Sequence, residues 1–139
     1  MGYATDVATN SKTDTTKGHE VRAVVIEAEF QETRIIDIPR EGALKPLQEA
    51  VGGWVECVSL PANGFDLWLN EEGKIMGLLT NEAATRIWES EYGATDVMAG
   101  NVVITGPADD EGYITGLSAV TAERIQSFTA QLREAMWGY

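Results

Sequence analysis

Val21-Arg22-Ala23-Val24-Val25-Ile26-Glu27-Ala28, followed by Arg34-Ile35-Ile36-Asp37-Ile38, decides the fold class. Both runs are rich in β-branched residues and read as strands. Glu29 to Thr33 between them are mostly polar and can turn, and Pro39 stops the second run, so the pair reads as an antiparallel hairpin. Downstream the period changes. Leu44, Leu47 and Val51 fall on one face of a helix over 43–51. Pro46 fits only its first turn, and Gly52-Gly53 supplies a left-handed cap. Trp54 to Leu60 then reads as a strand ended by Pro61.

Leu67-Trp68-Leu69 and Lys74-Ile75-Met76 flank Asn70-Glu71-Glu72-Gly73, which is turn chemistry for a second hairpin. Asn81 is placed to cap a helix over roughly 82–91, with Ala84, Ile87 and Trp88 on its apolar side. Val97 to Thr105 reads as a strand with Gly100 as a bulge, and residues 106–112 form an acidic turn. Thr121 caps a last helix over 122–137, with Ile125, Phe128, Leu132 and Met136 as its stripe. The expectation is an α+β fold: a mixed, mainly antiparallel sheet of about five to seven strands with three helices, the last one C-terminal and amphipathic. Residues 1–20 read as a polar arm and 21–139 as one domain.

Composition narrows the function classes. The chain has 139 residues, 44% hydrophobic, and a net charge of -12. Residues 61–120 hold ten acidic against two basic residues, -8 of that total. Such a charge disfavours direct phosphate-backbone binding. No run approaches the ~18 apolar residues of a membrane span. The start has no basic and apolar leader, so the expected compartment is the cytoplasm.

Catalytic candidates are few. His19 sits in the polar arm and reads as solvated; Cys57, mid-strand, reads as core packing. Neither metal ligands nor a cofactor are assigned, because His and Cys clusters are missing and Gly100 and Gly106 bracket a strand rather than open a helix. Asp109-Asp110-Glu111-Gly112 reads first as a solvated turn. The four tryptophans (54, 68, 88 and 137) read mostly as core. The best polar and aromatic cluster is Asn70, Glu72, Lys74, Asn81, Thr85, Arg86 and Trp88, a candidate ligand site if the 67–79 hairpin feeds straight into the next helix. Asp109, Asp110, Glu111, Trp137 and Tyr139 are the candidate partner-binding residues.

Leu47 to Glu56, Leu67 to Lys74, Asn81 to Thr85, and Gly100 to Gly106 with Asp109 to Gly112 occur in an order that resembles an uncharacterised domain-of-unknown-function family. It is common in actinobacteriophages and actinobacterial mobile elements. The likeness spans about residues 22–118; the arm and the last helix lie outside it and are candidate oligomer contacts. The resemblance implies a phage or mobile-element accessory protein in the host cytoplasm, and it brings no catalytic residues. Three functions follow as expectations. The first is non-catalytic binding that sequesters a small host metabolite or nucleotide signal in counter-defence. The second is an acidic inhibitor or DNA mimic that blocks a basic host protein. The third is a metal-assisted carboxylate hydrolase.

Overall fold

The computed structural model describes residues 19–138. Most of the expected arm, residues 1–18, and the candidate residue Tyr139 lie outside these. The element order is β1 (Glu20–Glu27), β2 (Glu32–Pro39), α1 (Leu44–Val51), β3 (Val55–Leu60), β4 (Phe65–Asn70), α2 (Glu82–Tyr92), β5 (Val102–Thr105) and α3 (Ala119–Trp137). The strands form one five-stranded sheet in the order β2-β1-β5-β4-β3. Every neighbouring pair is antiparallel. The fold is therefore α+β, with its last helix C-terminal.

Side chains alternate across a strand, and here both faces are apolar at the centre. Ala23 to Ile26 on β1 and all four residues of β5 are buried. A strand apolar on both sides must be covered on both sides. Val24, Ile26, Leu67, Leu69, Val102 and Ile104 face α2 and α3, where Ala83, Ile87, Ala122 and Ile125 meet them. Ala23, Val25 and Val103 face the other way, against Leu47 and Val51 of α1 and Ile114 of the 106–117 segment. The outer strands are mostly exposed, β2 burying only Ile38 and β3 only Leu60.

The expected hairpin between 67–69 and 74–76 does not form. β4 is hydrogen-bonded by β3 on one side and β5 on the other, so Lys74 to Met76 find no open edge. The chain instead winds through consecutive turns: Glu72 N–H donates to Asn70 Oδ1 (2.8 Å), Met76 N–H to Glu72 O (2.8 Å) and Leu78 N–H to Gly73 O (2.9 Å). The expected strand from Val97 is likewise shorter. Gly100, at φ +85°, bends the chain, and only Val102–Thr105 joins the sheet.

Asn81 caps α2 as expected, accepting from Ala84 N–H at 3.2 Å. α3 starts earlier than expected, because Ser118 rather than Thr121 supplies the cap oxygen. Its buried face is Ala122, Ile125 and Thr129, rotated from the expected stripe toward small residues. Phe128 and Met136 are left about two-fifths exposed. The expectation that Leu44 anchors α1 also fails: it points outward, and Leu47 and Val51 carry the contact.

Candidate functional site

α2 and α3 lie side by side on one face of the sheet and leave a groove between them, closed at one end by the β3–β4 turn. The groove encloses about 470 Å³. Phe65, Ile87 and Ile125 form its floor, and Phe128 rises as a wall. Arg86 from α2 and Arg124 from α3 line it from opposite helices. The helical periods explain the placement. Ala83, Ala84 and Ile87 turn inward on α2, which sends Arg86 to the flank. On α3 the core positions 122, 125 and 129 leave Thr121, Arg124 and Phe128 (i, i+3, i+7) on the neighbouring flank.

The groove end is held by Glu91. Its carboxylate accepts from Ala62 N–H (2.9 Å), Asn63 N–H (3.3 Å) and Asn63 Nδ2 (2.8 Å). Despite some desolvation, these donors hold the carboxyl below its ordinary pKa. Tyr92 Oη donates to Ser59 O at 2.8 Å and ties the same helix to the β3 edge. Arg86 pairs with Glu89 at 3.3 Å, one turn along. Arg124 makes no ion pair and no hydrogen bond among the described residues, so its guanidinium carries its full set of donors into the groove.

The sequence-expected ligand residues do not converge on one cavity. Asn70, Asn81 and Thr85 are buried, and their side chains serve the backbone. Asn81 Nδ2 donates to Ile26 O (2.9 Å) and Gly100 O (3.0 Å). Its Oδ1 accepts from Ala84 N–H and from Gln31 Nε2 (3.4 Å), which fills its capacity. Thr85 Oγ1 accepts from Met98 N–H at 3.0 Å. Asn70 accepts from Glu72 N–H and donates to Val51 O (3.3 Å). Glu72 is exposed in the turn. Lys74 is ion-paired with Asp96 beside a different, smaller cavity. Trp88 lies only two positions from Arg86, a spacing that points side chains apart on a helix. It packs against Tyr92 with the rings tilted (centroids 4.4 Å) and donates to Thr95 Oγ1 (3.1 Å). Arg86 alone of the seven lines the groove, and Arg124, Thr121 and Phe128 join it.

The expected partner-binding residues are also placed. Arg40 Nη2 donates to Asp109 and to Glu111, both at 2.8 Å, and stacks over Tyr113 at 4.3 Å. Asp110 is exposed. Trp137 and Met136 flank Phe30 and Glu29 at the end of α3. The Arg40 hydrogen bond, helped by N–H donors from Glu111 and Tyr113, depresses the Asp109 pKa. A depressed carboxylate contributes stability above its ordinary pKa of 3.8 and loses it as pH falls through the lowered folded value. The Tyr113 ring resonances are therefore expected to stay constant from neutral pH down to about that ordinary value and shift only below it. An Arg40→Ala variant moves the transition up toward the ordinary carboxylate range, which an NMR titration reads directly.

Two expectations of burial fail. Trp54 is 67% exposed, just ahead of the β3 edge. Cys57 is also exposed, on that edge strand. Its thiol is nevertheless desolvated and lies against the Asp66 carboxylate, which push its pKa up to about 12. Alkylation by iodoacetamide at pH 8 is expected to run at least tenfold slower than for free cysteine, since the thiolate is the nucleophile. Asp66→Asn should accelerate it. A rate equal to that of free cysteine would sink this assignment.

A small antiparallel sheet with helices on both faces defines this as an α+β domain, and it carries a guanidinium-flanked groove. The chain belongs to the family described as Domain of unknown function (DUF3846), whose model matches residues 21–132. No curated protein and no solved structure matches the chain. No helix among the described residues is long and apolar enough to cross a membrane.

Proposed function

We propose that this protein acts by non-catalytic binding, sequestering a small anionic molecule with a flat apolar part in the groove between α2 and α3. A nucleotide has that chemistry. Its base would pack on Phe128, Ile87 and Ile125, and its phosphate would meet the two guanidiniums. The observation that carries this reading is Arg124, which has no ion-pair partner among the described residues and lines an apolar-floored groove in a chain of net charge -12. Guanidinium groups bind phosphate through paired, charge-assisted hydrogen bonds. The acidic surface opposes anions at a distance, but at physiological salt that opposition fades beyond ~8 Å. In the phage or mobile-element setting that the resemblance implies, the ligand is a host nucleotide signal and its capture is counter-defence.

The test is calorimetric titration with a panel of mononucleotides, dinucleotides and cyclic dinucleotides. Saturable binding is expected for at least one. Arg86→Ala with Arg124→Ala should weaken it at least tenfold, and Phe128→Ala should weaken it by several-fold. Glu89→Gln releases Arg86 from its neighbour and should tighten binding. The reading fails if no nucleotide binds, or if the double arginine variant binds as the parent does.

A further inference from the structure

Among the described residues the most exposed large apolar side chain is Ile75, at 88%, and it has company. Met76 is 56% exposed, Leu79 59% and Val97 44%. The first three ride on the turn segment after β4, and Val97 lies on the loop after α2. Ile75 and Val97 both line a cavity of about 280 Å³ floored by Leu69 and Met98. It shares no lining residue with the α2–α3 groove.

This apolar surface is held in place. Besides the turn bonds already described, Gly73 N–H donates to Asn70 O (3.0 Å) and Gly100 N–H to Leu79 O (2.7 Å). Thr80 bridges Ala99. A segment fixed from both ends that still presents three apolar side chains to water, with Val97 beside them, is shaped for contact. Carboxylates surround it. Glu56 and Glu71 line the cavity, and Glu72 sits in the same turn. None of the three makes an ion pair among the described residues. Lys74, the cation at this cavity, is already taken by Asp96.

Charge selects the occupant. A second copy would bring the same unpaired carboxylates, and another -12, against these. An anionic lipid surface would be repelled for the same reason. A partner that offers an apolar stripe flanked by Lys or Arg matches both features at once. We infer that the 71–79 turn segment and the cavity beside it form a docking surface for a basic amphipathic helix of a partner protein. Ile75 and Met76 pack against the stripe of that helix. Glu56, Glu71 and Glu72 meet its cations and speed its arrival.

The test uses the full chain and a fluorescein-labelled 18-residue peptide with a leucine stripe flanked by lysines, read by fluorescence anisotropy. A scrambled peptide of the same composition and an acidic version with glutamate for lysine are the controls. Saturable 1:1 binding is expected, at least tenfold tighter for the basic amphipathic peptide than for either control. Raising NaCl from ~50 to ~500 mM should weaken it about tenfold or more. Ile75→Ser with Met76→Ser, both exposed, should weaken it at least tenfold without moving the thermal midpoint, and Glu71→Gln with Glu72→Gln should reduce its salt dependence. Arg124→Ala should leave it unchanged, so this surface and the groove stand or fall separately. Equal binding of the scrambled peptide, or full binding by the serine variant, would overturn the proposal. So would concentration-dependent dimerisation abolished by Ile75→Ser, or binding to anionic vesicles in preference to the peptide.

Discussion

Replacing Asn81 with alanine is expected to remove about 3–5 kcal/mol of stability, a large share of the ~5–15 typical of a domain. Losing a side-chain cap alone costs ~1 kcal/mol. The remainder comes from what Asn81 joins. It is fully buried, and its four hydrogen bonds reach β1 through Ile26 O, the β5 approach through Gly100 O, the start of α2 through Ala84 N–H, and the Gln31 side chain. Each buried group stripped of a partner costs ~1–3 kcal/mol. Gln31 shares the arrangement from the β1–β2 turn. It is fully buried at φ +51°, donating to Ala28 O (3.1 Å) and accepting from Ala83 N–H (2.8 Å). Asn81→Asp keeps one acceptor oxygen but sets the other, as a buried carboxylate, against Ile26 O and Gly100 O, so at neutral pH it should cost as much as Asn81→Ala or more. Urea denaturation checks the series. A loss below ~1 kcal/mol for Asn81→Ala would show that water replaces the missing partners.

Gly106→Ala is expected to cost about 2 kcal/mol or more, although the position has room in its backbone angles. The obstacle is proximity. Gly106 bridges Thr115, and an added Cβ would overlap Thr115 Oγ1 and sit 2.9 Å from Gly116 O and 3.1 Å from Thr115 O. Two of these neighbours are backbone, so relief requires moving the 113–117 segment. That segment carries Ile114 into one core and Leu117 into the other, and Leu117 N–H donates to Arg22 O at 2.9 Å. Overpacking of this kind typically costs ~1–3 kcal/mol. It must also exceed the ~0.4–1 kcal/mol that glycine-to-alanine ordinarily adds by stiffening the unfolded chain. Pairing the change with Thr115→Ala should recover part of the loss, and the double-mutant cycle measures how much. An unchanged or raised denaturation midpoint for Gly106→Ala would show that the segment gives way freely.

The elements were legible where one local signal sufficed. Periodicity placed β1, β2 and the three helices, and Asn81 announced its helix. The hairpin at 67–76 misled because its turn chemistry is genuine: Asn70 and Gly73 do shape a turn. What local sequence cannot show is that both edges of β4 are already occupied by strands from elsewhere in the chain. Cys57 and Trp54 failed for a related reason. Alternation says that a strand has two faces, not how far a covering helix reaches along them: α1 packs against Val55 at the start of β3, while Cys57 further along is exposed. Half of the groove was hidden in α3, where the large residues Phe128 and Met136 drew the stripe to the wrong face. The i, i+3, i+7 set Thr121, Arg124 and Phe128 was the available signal. Gln31 gave none, since a polar residue in a polar turn reads as solvated.

The strand order has a consequence for the nascent chain. β1 with β2, and β3 with β4, are sequence neighbours that can zip as they leave the ribosome. Each ribbon then waits with one long side unpaired, because the strand that belongs between them, β5, is made last and is only four residues long. Synthesis must pass Thr105 before the two ribbons can be joined, and α3 cannot seat until they are. The wait leaves Val24 to Ile26 and Asp66 to Trp68, the β5-pairing residues, open to foreign strands. Insertion of β5 is thus the long-range event that should limit the folding rate. A chain ending before Val102 should yield two sticky hairpins rather than a smaller domain.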